Sequence, residues 1–188
     1  MSFFPSYLNL DNKKILLVGG GAIALEKLEK LIDFSRDITI IAKDISDEFL
    51  EFANRYDITI MQKAYKKGDI DGFDIVVVAT NTIALHKEIY QESRDSRILV
   101  NSVDDTAYCD FIFPSYIKKG DLTISISTSG ASPAMAKRVR IYIEKLIPSN
   151  IAEFLSEMRE LRKTMPKGKE RMKFFEKKSD RFIEKYFK

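Results

Sequence analysis

The stretch Lys14-Ile15-Leu16-Leu17-Val18-Gly19-Gly20-Gly21-Ala22-Ile23-Ala24-Leu25 decides the fold. A run of leucine and β-branched residues enters three consecutive glycines, and across residues 22–34 the apolar positions recur at helical spacing. The reading is strand, tight turn, helix. Within it Gly19, Gly21 and Ala24 form G-x-G-x-x-A. The first glycine permits the turn, the second lets a pyrophosphate approach the backbone, and the small alanine lets helix and sheet pack closely. The phosphates of a dinucleotide would rest on the free N–H groups at the helix start, near Ala22 and Ile23.

The same alternation runs outward from this turn. Residues 38–42 read as a second buried strand, 46–55 as a helix and 58–61 as a short third strand. Residues 74–79, apolar throughout after Asp74, form a run of the kind buried on both faces of a parallel sheet, followed by a helix over 83–92 and a strand over 98–101. Strands alternating with helices imply right-handed crossovers and a Rossmann-like, doubly wound α/β sheet. After Asn101 the pattern changes. Residues 111–117 and 122–127 predict a hairpin joined by Lys118-Lys119-Gly120-Asp121, with Leu122, Ile124 and Ile126 on its covered face. Ser132-Pro133 starts a helix whose stripe is Met135, Val139, Ile143 and Leu146, and Pro148 ends it. Two more helices follow, separated by Pro166 and Gly168. The expected organisation is a nucleotide domain over 1–113, a hairpin-plus-helix region over 114–147 and a small helical domain over 148–188.

Composition narrows the class. The chain has 188 residues, 45% hydrophobic and 31% charged, which suits a globular protein and not a disordered tail or a membrane bundle. Its longest uncharged apolar stretch, 15–25, is far short of the ~20 residues of a membrane span, so no membrane partner is expected. The first five residues lack the features of a signal peptide, which points to the cytoplasm, and a lone Cys109 agrees. With one cysteine and one histidine the usual zinc constellations are excluded, so no resident metal site is expected. The formal charge of +3 is uneven: from Ser149 onward twelve Lys or Arg face seven Asp or Glu, leaving the body slightly acidic. That argues against nucleic acid and confines any attraction for polyanions to the tail. His86 falls on the predicted helix over 83–92 and reads as a surface residue without a role.

The ribose-selecting acid of such a fold stands about 20 residues beyond the glycines, at the end of the second strand. Lys43 and Asp44 stand there. Asp44 would accept from ribose hydroxyls, favouring NAD, while Lys43 would attract a 2′-phosphate. Thr80-Asn81 and Asn101-Ser102-Val103 fall at later strand ends, where an open α/β sheet places its ligand crevice.

Beyond the glycine motif, four further blocks carry a resemblance. They are 78–81 (VATN), 100–105 (VNSVDD), 109–115 (CDFIFPS) and 126–133 (ISTSGASP). On these blocks the chain resembles the precorrin-2 dehydrogenase and sirohydrochlorin ferrochelatase family, the N-terminal part of siroheme synthases. The resemblance implies NAD-dependent oxidation of precorrin-2 to sirohydrochlorin, with insertion of Fe²⁺ to give siroheme in bifunctional members. It implies an intertwined homodimer formed through the hairpin and the helix starting at Ser132. The family's essential aspartate falls on Asp104, and its dinucleotide contacts fall on Gly19, Gly21, Ala22, Ile23, Lys43 and Asp44, and more loosely on Thr80, Asn101 and Val103. Asp105 and Asp110 read as structural.

Chemistry agrees with that assignment: forming the macrocycle's conjugation requires a hydride and a proton to leave it, so a carboxylate beside the cofactor can serve as base. The substrate's many carboxylates call for donors, which Thr128, Ser129 and Gly130 offer before a helix N-terminus. The chain departs from the family at Leu25-Glu26-Lys27, Thr82 and Thr106. It stops at Lys188, so precorrin-2 is expected to come from another protein. Two other readings of the same motif are a nucleotide-sensing regulatory module, which needs neither Asp104 nor the cradle, and a dehydrogenase for a different small substrate.

Overall fold

The computed structural model describes residues 3–187. Met1, Ser2 and Lys188, the outer ends of the expected 1–113 and 148–188 regions, lie outside the described residues. The chain divides into two compact units at Ile112/Phe113.

The first unit is a Rossmann-like α/β layer structure. Strands β1 (Ile15–Val18), β2 (Ile38–Ala42), β3 (Thr59–Gln62), β4 (Ile75–Val78) and β5 (Leu99–Ser102) form one parallel sheet in the order β3-β2-β1-β4-β5. Helices α1 (Ala22–Ile32), α2 (Asp47–Arg55) and α3 (Ile83–Glu92) supply crossovers. Every residue of β1 and β4 is buried, so neither shows a polar face; their leucine, valine and isoleucine side chains fill the layers on both sides of the sheet. One such layer joins Leu16 and Val18 to Ile41, Val76, Val78, Ile89 and Val100. β3 is the exposed edge. Chain order reverses between β1 and β4, and the crevice opens at their carboxyl ends.

The turn after β1 owes its glycine to crowding. Gly19 sits at φ +130, and a Cβ there would stand 2.2 Å from the carbonyl oxygen of Ala79, the residue just beyond β4. Its N–H donates to the carbonyl of Ile41, tying the turn to β2. Helix α2 begins one residue later than its predicted start because Ser46 is its cap, accepting from the N–H of Phe49.

In the second unit, β6 (Ser115–Lys119) and β7 (Leu122–Ile126) pair antiparallel, followed by α4 (Pro133–Leu146), α5 (Ile151–Thr164) and α6 (Lys169–Tyr186). The hairpin is tighter than the sequence suggested: Lys118 and Lys119 belong to β6, and only Gly120-Asp121 form the loop. Gly120, at φ +58 against Ala152, permits this two-residue turn. The upstream strand starts at Ser115 and not at Phe111. The separation expected between 114–147 and 148–188 is absent within the chain, because Ile117, Ile147, Ile151 and Phe182 share one core with Leu122 and Ile124. Phe154 stacks on Phe182 with ring centroids 4.0 Å apart. Ser132 caps α4 through Met135 N–H, with Pro133 in its first turn. The predicted stripe of α4 is divided: Ile143 packs against the hairpin core, whereas Met135, Val139 and Leu146 are exposed beside Tyr142.

Replacing Gly19 by Ala drives a methyl group into a backbone carbonyl in a conformation that L side chains avoid. The expected result is a loss of about 2 kcal/mol or more in urea unfolding, and an unchanged midpoint would refute the crowding argument.

Candidate functional site

A cleft of about 260 Å³ opens where β1, β4 and β5 end; Ile23, Thr80, Asn81, His86, Val103 and Asp104 are among its lining residues. Gly19 borders it, packed on Ala79, which also lines it. Of the residues singled out from the sequence, Ile23, Thr80, Asn81, Val103 and Asp104 meet in this cleft.

At Gly21, φ is −96 and ψ −173, an extended conformation open to any residue, and a Cβ there would meet nothing within 4 Å. Neither conformation nor packing therefore demands glycine at this position. Gly21 is the N-cap of α1, makes no side-chain cap, and has no acidic residue in the turn that follows. The bare N–H groups at Ala22 and Ile23, with the positive end of the helix behind them and open space in front, fit a dinucleotide pyrophosphate. Lys43 and Asp44 are exposed at the end of β2, where the Asp44 carbonyl oxygen would be 2.6 Å from a Cβ on Gly20. Asp44 thus stands one strand away from the glycine turn, where a ribose bound at that turn would extend.

Asp104 has φ +67, a left-handed conformation that aspartate tolerates better than most residues. Among the described residues no hydrogen bond or ion pair engages its exposed carboxylate. The neighbouring acids are occupied. Asp105 accepts from Ala107 N–H at 3.0 Å and caps the short 3-10 turn Thr106–Tyr108. Asp110 takes a two-pronged bond from Arg94, at 2.8 and 2.6 Å, and another from the N–H of Val100 at 2.8 Å. Partial burial works to raise the pKa of Asp110, but the Arg94 bond and the Val100 N–H outweigh it and hold it below the usual carboxylate range.

Two sequence expectations change. Asn101 does not face the cleft: it is buried, and its amide donates to the carbonyl of Phe111 at 2.8 Å and to Cys109 Sγ at 3.6 Å. Its amide holds the Phe111 backbone within the first unit. His86 is not on the surface. Only 4% exposed, it lies between Ser102 and Thr80 in the wall of the cleft. The signal was available in its spacing, since His86, Ile89 and Ser93 fall on one helical stripe and all three are buried. Cys109 is a buried thiol, pushed up in pKa by burial and by the charges of Asp105 and Asp110 against the Ser102 N–H.

Thr128, Ser129 and Gly130 belong to the second unit, and part of the expected cradle is closed by the chain itself. Thr128 Oγ1 accepts from Ser132 N–H and Ser127 Oγ from Ser129 N–H, both at 3.0 Å. Gly130, with φ +85 and open space around a Cβ, leaves the backbone approachable there. Three of the tail's cations, Lys178, Arg181 and Lys185, line a cleft between α5 and α6 together with Glu153 and Glu157. Among the described residues no cluster of three His, Cys, Asp or Glu side chains is arranged to hold a metal ion, and no helix is long and apolar enough to cross a membrane.

The fold and cleft define a dinucleotide-binding protein, and residues 6–115 match the model of the putative NAD(P)-binding family, to which the chain belongs. Residues 119–146 match a second model, that of the sirohaem biosynthesis protein central region. It is 34% identical to the siroheme synthase of Methylococcus capsulatus over 94% of its length, covering 38% of that protein. It is also 34% identical to the siroheme synthase of a Psychrobacter species, again over 94% of the chain and covering 37% of the relative. The chain therefore spans little more than a third of these relatives. Among solved structures it is similar to SirC, a precorrin-2 dehydrogenase, with a TM-score of 0.76 and 27% identity; the match covers 90% of this chain and 85% of SirC.

Gly21→Asp separates stability from binding. The new carboxylate supplies the cap that α1 lacks, so the melting temperature is expected to hold or rise. Its charge meets the pyrophosphate, so NAD(P) affinity measured by calorimetry is expected to fall at least about tenfold. Retained affinity would remove the dinucleotide from this helix end.

Proposed function

We propose that this chain catalyses the NAD-dependent oxidation of precorrin-2 to sirohydrochlorin, with Asp104 as the base. The observation that carries the reading is the carboxylate of Asp104, unengaged in the cleft while Asp105 and Asp110 are held by the protein itself. Likeness to SirC and to the siroheme synthases supports the choice of substrate.

Bound NAD supplies a hydride acceptor. The chain's part is to seat that acceptor on the bare start of α1, direct its ribose toward Asp44, and offer Asp104 to the proton that leaves the macrocycle. Placed in the left-handed region at the end of β5, Asp104 projects from a short loop whose neighbours are fixed by capping and by the Cys109 sulfur. Asp44 favours NAD over its 2′-phosphorylated form, because two anions there would repel. Fe²⁺ insertion into sirohydrochlorin releases pyrrole protons as the metal enters, calls on the same base and completes this reading, with iron as substrate. Backbone and hydroxyl donors around Thr128, Ser129 and Gly130, and the cations of the tail, suit a substrate bearing many carboxylates. The lone buried thiol suits the reducing cytoplasm as the site of the reaction.

A second copy of the chain would cover α4. Met135, Val139, Tyr142 and Leu146 recur along one side of that helix and are 57, 36, 66 and 49% exposed, a stripe that a homodimer buries.

With precorrin-2 and NAD the protein is expected to produce NADH and sirohydrochlorin, followed by their absorbance. Asn tolerates φ +67 as Asp does, so Asp104→Asn removes the charge without disturbing the loop. Turnover is expected to fall at least about 100-fold, with dinucleotide affinity retained; a variant that turns over normally would overturn the base assignment. Sedimentation gives the companion test: wild type is expected as a dimer at micromolar concentration, and Tyr142→Lys as a folded monomer.

A further inference from the structure

The wall of the cleft contains a histidine that the chemistry above does not use. His86 projects from the first half of α3, 4% exposed, with Nε2 2.8 Å from the carbonyl oxygen of Thr80 and Nδ1 2.7 Å from Ser102 Oγ. A carbonyl only accepts, so Nε2 carries the proton. In a ring carrying that single proton Nδ1 is the acceptor, and the Ser102 hydroxyl donates to it. Both contacts bear on the reacting end of the cleft. Thr80 opens the loop after β4, directly before Asn81; Ser102 ends β5, two residues before Asp104.

Ser102 is held from its other side as well. Its N–H donates to Cys109 Sγ at 3.2 Å, and that thiol faces the carbonyl oxygens of Ser102 at 3.1 Å and Asp105 at 3.4 Å. The chain of contacts therefore runs from the Thr80 carbonyl through the imidazole, the serine and the sulfur to the residue after Asp104. Every member except Thr80 and Asp105 is buried. Water is kept from substituting at the two inner links, His86 to Ser102 and Ser102 to Cys109, which makes the spacing of the two loops a property of the ring.

We propose that His86 is a positioning residue: as the Nε2–H tautomer it ties the Thr80 carbonyl to the Ser102 hydroxyl and sets the distance between the cofactor-side loop and Asp104. This rests on the cleft being the redox site proposed above. The ring's hydrogen bonds go to neither the glycines after β1 nor Asp104, so it acts on the geometry of the reaction more than on dinucleotide affinity. A misplacement of about 1 Å between reacting groups costs about 100-fold in rate.

The chain has one histidine, so its ring nitrogens give a single pair of ¹⁵N signals without assignment. In the intact protein they are expected to report a protonated Nε2 and a bare, hydrogen-bonded Nδ1, and in Ser102→Ala the Nδ1 signal is expected to shift as its donor is lost. An Nδ1–H tautomer, or an Nδ1 signal indifferent to Ser102→Ala, would overturn the proposal with no reference to turnover. In the coupled assay with precorrin-2 and NAD, His86→Phe is expected to lower kcat about tenfold to 100-fold, with KM for NAD changed less than about threefold. His86→Asn, which keeps an acceptor and a donor, is expected to recover most of that loss. Equal loss in both variants, or a loss confined to KM, would also overturn it. Wild-type protein inactive toward precorrin-2 would refute the substrate assignment instead, and the tautomer measurement would still decide the role of the ring.

Discussion

Much of this molecule depends on one close approach, the backbone of Gly19 against the carbonyl of Ala79. It brings together the ends of β1 and β4, the two strands between which the order of the chain reverses, so the segments leaving them must diverge to opposite sides. Divergence opens the cleft. Burial of both strands on both faces makes the approach firm, because any separation would expose the layers of valine, leucine and isoleucine that cover the sheet. The site is thus a by-product of how the core closes, and the functional groups are placed by strand ends and not by long loops.

Within that frame each glycine and each acid has a different task. Gly19 answers to the protein's own packing, whereas Gly21 answers to nothing in the protein and leaves a helix end uncapped. Leaving it bare forgoes the stabilisation of a side-chain cap and keeps a space that an anion would fit. The acids follow the same logic. Asp105 and Asp110 stabilise the backbone around them, and Asp104 between strand and turn is left available in a conformation few residues adopt readily.

The sheet was legible because its signals are local and mutually consistent. Short apolar runs, three glycines at a strand end and the helical spacing that follows them each pointed to the same architecture, and the structure differs by a residue or two at the boundaries. Thr80 and Val103 were found as cleft residues because strand ends in such a sheet converge by topology, Ile23 because it opens the helix after the glycines, and Asp104 through the family resemblance. Asn101 was misplaced since side chains alternate along a strand, and only the bond to Phe111 reveals that this one turns inward. His86 was passed over because a polar residue on a helix reads as solvated unless its partners are known. Those partners, Thr80 and Ser102, belong to other elements that the sequence alone does not bring together. The exposed stripe of α4 was read as a single apolar face, yet the helix has two: Ile143 inward, Tyr142 outward.

Cys109 brings a practical benefit. Its sulfur is enclosed by Ser102, Asn101 and the carbonyl of Asp105, and the sequence contains no other thiol. A thiol-directed reagent gains access during moments when the segment carrying Asp104 lifts away, so the pace of labelling is a clock for that breathing motion, readable without mutation.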